Sequence, residues 1–325
     1  MINLVWRTDV HMSDRAPSSR VDDWTSTVLG KLGQVRDLAA QVNAAAILDG
    51  GDFFHIKSPT RNSHSLVHRT AQHHATYPCP VYCTPGNHDC VYGDYSFLPQ
   101  QPLGVLYSTG VFQRLYDEHE VVFIEKDLKV RVVGIPYHGT SYEMERFTSI
   151  EKGDEDILIC VAHVLASESG GTMFEGEDIV RYADLLDTAP DVYLFGHWHK
   201  DQGVQCYEGT SSEKHFVNLG SLTRGSLSQD EVQRVPAAAV ISCTKGGVEI
   251  TTHRLKVKPP EEVFDVAGRA RQVRRQVEMD SFVSKIKESL LPTEGESLED
   301  AVSMMEGIPQ EVKEKALYYL ELAGG

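Results

Sequence analysis

Carboxylate, amide and imidazole side chains follow five apolar runs of this sequence, each where the run gives way to a loop. They are Asp9 with His11, Asp52, Asn87 with His88, His163, and His197 with His199. Nitrogen and oxygen donors together suit manganese, iron or zinc, whereas calcium and magnesium favour oxygen ligands alone. Any one of these loops, taken alone, is ordinary turn chemistry or a hydrogen-bonded histidine. Their joint occurrence predicts a metal site.

The apolar runs before these loops have the length and composition of β-strands, and the segments 21–42 and 63–76 have the apolar spacing of helices. Strand, loop, helix and strand in succession are typical of an α/β layer. Because strand ends in such a layer meet at one rim, residues distant in sequence converge there. Gly50 and Gly51 let the backbone turn tightly in front of Asp52.

From about residue 120 the sequence predicts mainly strands that complete a second sheet, with one helical segment at 178–186. The pair Pro259-Pro260 then marks a change of character. We expect one domain over residues 1–258 and a helical region over residues 259–325. The predicted helices of that second region cover residues 269–291, 297–305 and 309–322.

The composition limits the classes of protein to which this chain can belong. With 325 residues, 41% of them hydrophobic, the chain can form one large domain with an appendage. It has no run of about 18 apolar residues and no signal-peptide pattern, so we expect a soluble, cytoplasmic protein without a membrane partner. Six cysteines without a CxxC pair predict reduced thiols. A net charge of −16 excludes a broadly basic surface, so a phosphate-bearing substrate requires bound cations, a local basic patch or a partner.

The motif order Asp-x-His, Gly-Asp, Gly-Asn-His-Asp, His and Gly-His-x-His resembles the calcineurin-like metallophosphoesterase superfamily over residues 1–258. The resemblance implies an α/β four-layer fold, in which two packed mixed β-sheets are flanked by helices. It also implies two divalent metal ions, manganese first and iron or zinc next, bridged by one carboxylate and one hydroxide. By motif, the first ion is assigned to Asp9, His11 and His199, the second to Asn87, His163 and His197, and both to Asp52.

Three further residues receive catalytic roles from the same resemblance. His88 faces the substrate phosphate as an acid or as a stabiliser of the transition state, and Asp89 is expected to fix its ring. His55 is a second imidazole beside the phosphate. The alternatives are a solvated loop carboxylate for Asp89 and a hydrogen-bonded loop histidine for His55.

The loop at residues 50–55 reads Gly-Gly-Asp-Phe-Phe-His, and Pro59 and Arg61 follow it closely. It is similar to the loop of DNA repair nucleases of the SbcD type, which reads Gly-Gly-Asp-Leu-Phe-His before a proline and a basic residue. Protein phosphatases of the superfamily continue instead with Asp-Arg-Gly, which this chain lacks. The similarity implies an exonuclease and endonuclease that processes DNA ends with an SMC-like coiled-coil ATPase, and it leaves a homodimer open.

Two other functions remain open from the sequence. A small-molecule or cyclic-nucleotide phosphodiesterase uses the same metal ions, and a non-catalytic interaction subunit can be built on the same scaffold. Subunits of that second kind tend to lose metal ligands, whereas this chain retains every one.

Six arginines are candidates for contacts with nucleic acid or a partner protein: Arg61, Arg224, Arg269, Arg271, Arg274 and Arg275. The last four form a dense basic cluster in an otherwise acidic region, for which a solvated helix face is the alternative. Nucleases of this type carry a DNA-capping domain and a helical segment that docks on the ATPase. Since residues 259–325 are few, any cap here is small or differently built, and packing of these helices onto the core remains open.

Overall fold

The computed structural model describes residues 1–170, 176–210, 212–266, 268, 271, 274, 277, 281, 302–304 and 307–323. The chain divides into two compact units, Met1–Phe264 and Asp265–Gly325. All the strands of the described residues belong to the first unit. The domain boundary after residue 258 stays a prediction.

The strands of the first unit are two to eight residues long. In chain order these are β1 (Ile2–Arg7), β2 (Ala46–Asp49), β3 (Val81–Cys83), β4 (Gln113–Arg114), β5 (Val121–Glu125), β6 (Leu128–Ile135), β7 (Ile157–His163), β8 (Ala166–Ser167), β9 (Val180–Arg181), β10 (Val192–Gly196), β11 (Gly203–Glu208), β12 (Glu213–Asn218), β13 (Ala237–Thr244) and β14 (Gly247–Arg254). The helices are α1 (Trp24–Gln41), α2 (His64–His74), α3 (Pro102–Ser108), α4 (Glu145–Thr148), α5 (Gln229–Gln233), α6 (Pro260–Val263) and, in the second unit, α7 (Gln310–Ala323).

Two six-stranded sheets form the centre of the first unit, in the orders β14-β13-β1-β2-β3-β4 and β11-β12-β10-β7-β6-β5. Both sheets are mixed. In the first sheet β1, β2, β3 and β4 run parallel, and β13 and β14 add antiparallel neighbours at one side. In the second sheet β12, β10, β7 and β6 run parallel between the antiparallel edge strands β11 and β5.

Three apolar cores separate the layers of this unit. The central core lies between the sheets and joins, for example, Leu4 and Trp6 of β1 to Val161 of β7 and Leu194 of β10. A second core lies between the first sheet and α1, α2 and α3. A third covers the outer face of the second sheet, where Phe147 of α4 packs. The layers are therefore helices, a mixed sheet, a second mixed sheet and further helices. This order confirms the predicted four-layer fold.

Helix α1 shows how local sequence sets an element's start. The side chain of Asp23 accepts a hydrogen bond from the backbone N–H of Ser26, and its own backbone is extended. This N-cap places the first helical residue at Trp24, three residues after the predicted start at residue 21. Val28, Leu32 and Val35 then bury one face of the helix against the first sheet.

The predicted helix over residues 178–186 is wrong. Val180–Arg181 forms strand β9, which pairs in parallel with β8, and Tyr182–Leu185 is a single 3₁₀ turn. The backbone N–H of Val180 donates to the carbonyl of Leu165, so strand pairing satisfies hydrogen bonds that a helix would otherwise supply. Tyr182 and Leu185 still bury their side chains in the outer core of the second sheet.

In the second unit, α7 corresponds to the helix predicted over residues 309–322. The helices predicted over residues 269–291 and 297–305 lie largely outside the described residues. No helix in the described part of the chain is both long enough and apolar enough to cross a bilayer.

The parallel strands place their carboxyl ends at one edge of each sheet. In the first sheet these ends lead into the loops that carry Asp9, Asp52 and Asn87. In the second sheet they carry His163 and lead to His197. The imidazole Nδ1 of His163 lies 2.6 Å from the carbonyl oxygen of Gly50, so the two edges meet.

Candidate metal centre

Four residues at this meeting point have positive φ angles, although each carries a Cβ atom. The values are 51° for Asp9, 52° for His11, 50° for Asp52 and 87° for His197. The loops brace each other, since the N–H groups of Asp9 and His11 each donate over 3.0 Å to the carbonyls of Gly51 and Asp52, respectively. Such conformations are uncommon, and they cluster at functional sites because the surrounding structure must hold them in place.

The first group of donors consists of Asp9, His11, Asp52 and His199, whose ligand atoms all lie within 4.8 Å of one another. The Nε2 atoms of His11 and His199 are only 2.8 Å apart. His199 Nε2 is 3.6 Å from Asp9 Oδ1, and His11 Nε2 is 3.9 Å from Asp52 Oδ2. Two imidazoles and two carboxylates that converge in this way form a donor set for a transition metal.

The second group contains Asp52, His163 and His197, again with ligand atoms within 4.8 Å. Asn87 joins it, because its Oδ1 lies 3.2 Å from Nε2 of His163. Asp52 belongs to both groups through different oxygens: Oδ2 faces His11, and Oδ1 lies 3.5 Å from His163 Nε2. This placement suits a carboxylate that bridges two cations.

Backbone contacts orient these donors before any ion binds. The carbonyl of Gly50 accepts the Nδ1 proton of His163, which leaves Nε2 as the nitrogen that faces the donor group. The side chain of Asp9 accepts hydrogen bonds from the Thr8 hydroxyl at 2.7 Å and from the His197 backbone N–H at 3.1 Å. A Cβ atom on Gly86 would lie 2.2 Å from Asp52 Oδ1, so only glycine leaves this space to the donors.

Electrostatics favour cations at the site. Burial alone raises the pKa of Asp9, but a hydrogen bond to His199 and the charge of His163 bring that pKa to about 2. Burial alone lowers the pKa of His163, but the Asp52 carboxylate raises it to about 9. Burial and the charge of His199 hold the pKa of His11 well below its usual value. The carboxylates therefore stay ionised. In the absence of a metal ion, a proton on an imidazole offsets their negative charge, and a bound divalent ion would take over this role.

His88 and His55 form one wall beside the donors. Their rings stack with centroids 5.3 Å apart and 15° between their planes, and both lie edge-on to His11. His88 Nδ1 is 2.6 Å from the carbonyl oxygen of His55, so Nδ1 carries a proton and donates it to this carbonyl. The backbone N–H of His88 donates to Asp52 Oδ1 at 2.6 Å. The structure thus brings both predicted imidazoles to the donor groups.

Asp89 has a different partner from the one predicted, because the carbonyl of His55 holds the His88 ring. The buried Asp89 carboxylate accepts backbone N–H groups from Phe53, Phe54 and Gly86, over 3.0–3.3 Å. It therefore ties the loop of Asp52 to the loop of Asn87. Burial and the charge of Asp52 raise the pKa of Asp89 to about 7.

The family of the chain follows from a comparison of its sequence with known families. The profile of the calcineurin-like phosphoesterases matches residues 6–201, which include every predicted metal donor. The chain belongs to the calcineurin-like phosphoesterase family. It is therefore a metal-dependent hydrolase of phosphoesters, and the predicted superfamily is confirmed.

Among solved structures, the phosphoesterase is similar to an archaeal phosphodiesterase at 12% identity, with 78% of this chain and 100% of that one covered and a TM-score of 0.36. It is also similar to TT1561 of Thermus thermophilus at 12% identity, with 78% and 99% covered and a TM-score of 0.45. Likenesses this distant do not bear on the reaction. No curated protein matches the sequence.

The donor set fits the dinuclear site that the family uses. Each half offers nitrogen and oxygen atoms, Asp52 faces both halves, and the buried carboxylates need positive charge. Two bound divalent ions supply a nucleophile from water at neutral pH and neutralise the oxygens of a phosphate. The roles of the individual ligands remain predictions from the motifs.

Glu177 is a residue of this site that sequence reasoning missed. Its Oε1 lies 2.8 Å from His197 Nε2 and 2.5 Å from the hydroxyl of Tyr142. This carboxylate engages Nε2 of His197 and so helps to fix the orientation of its ring. Glu177 stands in a loop without a distinctive motif, so no spacing signal points to it.

The predicted basic contacts fall into three groups. Arg61 is exposed and lines a cavity beside His55 and His88. Arg224 is buried and donates to the carbonyls of Val232 and Lys258, and its contact with nucleic acid or a partner stays a prediction. Arg271 and Arg274 are exposed residues of the second unit, whereas Arg269 and Arg275 lie outside the described residues.

Proposed function

We propose that this phosphoesterase is a phosphodiesterase that cleaves DNA as an exonuclease and endonuclease in DNA end processing. The observation that carries the proposal is a cavity of about 550 Å³ next to the metal centre. His55 and His88 line this cavity together with Arg15, Lys57 and Arg61.

The charge of this cavity is opposite to that of the whole protein. All three cations are exposed, no carboxylate lines the cavity, and none of the three forms an ion pair with a described residue. In a chain with a net charge of −16, three unpaired cations beside a hydrolytic site indicate a substrate that carries further phosphates. A nucleic acid has phosphates on both sides of the bond to be cleaved, whereas an isolated phosphoester has none.

The chain's own residues then divide the work as follows. Arg15, Lys57 and Arg61 bind phosphates next to the scissile one and hold the strand in the groove. His88 lines both this cavity and the cavity of the metal donors, so its imidazolium form, protonated on both nitrogens, can donate the Nε2 proton to the leaving oxygen and return to the neutral ring. The Nδ1 bond to the His55 carbonyl keeps the ring in that orientation. Asp89 holds the two loops together.

Two partners and one metal belong to the proposal through the resemblance to SbcD-type nucleases. Manganese is the proposed ion, with iron or zinc as alternatives. An SMC-like coiled-coil ATPase is the proposed protein partner, and DNA is the substrate. A homodimer fits the same group of nucleases.

The test is a cleavage assay on linear double- and single-stranded DNA and on a simple phosphodiester reporter, with manganese, iron or zinc, with and without a candidate ATPase. We expect His88→Ala to lower cleavage of DNA by about 10²–10⁴-fold, the usual contribution of a positioned acid. Lys57→Gln and Arg61→Gln should weaken DNA binding, and each should reduce its salt dependence by about one unit, while the reporter is cleaved normally.

Lys126→Gln is the matched control. Lys126 is exposed and lies before β6, at the end of the second sheet opposite the metal donors. Cleavage of the reporter without cleavage of DNA would assign the protein to the small-molecule phosphodiesterases. Full activity of His88→Ala would overturn the proposed proton donor.

A further inference from the structure

A second basic cavity, of about 320 Å³, lies between the first half of α1 and the segment that follows β14. Its wall contains five cationic residues and two carboxylates. The cations are Arg20, Lys31, Arg224, Lys256 and Lys258. A local excess of positive charge is unusual in a protein with a net charge of −16. The metal donors do not line this cavity.

The carboxylates neutralise only part of this charge. Arg20 makes a two-pronged pair with Asp22, over 2.8 and 2.7 Å, and lies against the rings of Trp24 and Phe264. Asp23 is the N-cap of α1 and accepts both the N–H and the hydroxyl of Ser26. Both acids therefore already have partners.

Lys31 and Arg224 are held by neutral groups instead. Lys31 donates to the carbonyl of Lys256, and Arg224 donates to the carbonyls of Val232 and Lys258. Both residues are 6% exposed, and neither makes an ion pair within the described residues. A buried cation without a counter-ion is costly, so it usually has an anionic partner.

The charges around Lys31 support the same view. Burial, followed by the charges of Arg224, Arg20 and Arg234, lowers the pKa of Lys31 to about 8. The charges that shift this pKa most are thus positive. A bound anion would offset this excess of positive charge. It would interact with the planar guanidinium group of Arg224 and with the ammonium group of Lys31.

We propose that this cavity binds a small phosphate-bearing anion at a second site, separate from the metal centre. Its volume is that of a small-ligand site and is too small for a duplex. Two buried cations, with Lys256 and Lys258 exposed at the rim, match the charge and the several oxygens of a phosphate group. Inorganic phosphate and the phosphate of a mononucleotide share this chemistry.

The site is joined to the metal centre through one loop. Thr223 lines both this cavity and the cavity of the metal donors, and its hydroxyl donates to the Val10 carbonyl at 3.3 Å. The N–H of Leu222 donates to the carbonyls of Thr8 and Asp9. An anion bound by Arg224 therefore stabilises the loop that supports Asp9.

Calorimetric titration of the full chain with inorganic phosphate, at constant ionic strength and after removal of metal by a chelator, tests the proposal. Chelation prevents binding of phosphate through an ion at the metal centre, so the result does not depend on the nuclease proposal. We expect one saturable site, which Lys31→Gln weakens by about tenfold or more. Lys126→Gln, at an exposed position before β6 and outside both basic cavities, is the matched control and should bind phosphate normally.

A double variant, Lys256→Gln with Lys258→Gln, changes only exposed side chains and keeps the test decisive if Lys31→Gln does not fold. It should also weaken phosphate binding. Titration with adenosine monophosphate separates the two sources: tighter binding than phosphate assigns a nucleotide, and equal or weaker binding assigns free phosphate. Absence of saturable binding, or unchanged binding by both the Lys31 and the double variant, would refute the site.

Discussion

Replacement of Glu177 by Gln removes the negative charge that faces His197 and keeps the size of the side chain. The carboxylate oxygen lies 2.8 Å from His197 Nε2, so it fixes the ring and makes the other nitrogen a stronger ligand. Loss of such a partner weakens metal binding by about 10–100-fold, or about 1.4–2.8 kcal/mol. Because His197 belongs to the second donor group, the loss should fall on one of two ions.

Calorimetric titration of the chelator-treated protein with manganese measures both binding steps, independently of activity. For Glu177→Gln we expect one step to weaken by about 10–100-fold and the other to change little. Tyr142→Phe should give a smaller loss in the same step, since it removes only the hydrogen bond that helps to hold Glu177.

Asp178→Asn is the matched control for Glu177→Gln. Asp178 follows Glu177 in the chain, and its carboxylate accepts a hydrogen bond from the backbone N–H of Tyr142 at 3.1 Å. Two binding steps equal to those of the wild type in Glu177→Gln would refute the reasoning. An equal loss in Asp178→Asn would assign the effect to the loop and not to the carboxylate.

Two further predictions concern stability. Asp49→Ala leaves the fully buried guanidinium of Arg7 without its partner at 2.6 Å, so urea unfolding should show a loss of about 3–5 kcal/mol in the free energy of unfolding. Asp37→Ala, which removes one partner of an exposed pair, is the control and should lose less than about 1 kcal/mol. Equal losses in the two variants would contradict the argument. The pKa of Lys31 is about 8 in the folded chain against an ordinary value of 10.5, so the unfolded chain binds this proton more tightly. In phosphate-free buffer the wild type should therefore gain stability relative to Lys31→Met as the pH rises from 8 towards 10, and a difference that does not change with pH would refute this.

Much of the architecture was predictable because it depends on local signals. Apolar runs that end at His163 or shortly before Asp52 and Asn87 identify strands and also the ends that carry ligands. Parallel strands bring those ends to one edge. The start of α1 differed by three residues, since the cap at Asp23 was not recognised. The segment at 178–186 was assigned wrongly because its hydrogen bonds go to Leu165 and to β8, which no local pattern reveals.

In the candidate site, too, some features were predictable from local sequence and others depend on contacts between distant residues. Residue types and motif order predicted the donors, and the structure places all seven of them in two groups that share Asp52. The partner of the His88 ring was not predictable, because it is the backbone carbonyl of His55, 33 residues away in the chain. Nothing in its local sequence set Glu177 apart from other loop acids.

The sequence alone determined the family, the order of the layers and the chemical nature of the donors, since these follow from residue type and from short-range spacing. Tertiary structure decided which oxygen of Asp52 faces which histidine, and it buried the side chain of Arg224. It also placed the charge of Glu177 against His197. Each of these contacts joins segments that no local pattern pairs, so its geometry depends on the tertiary packing.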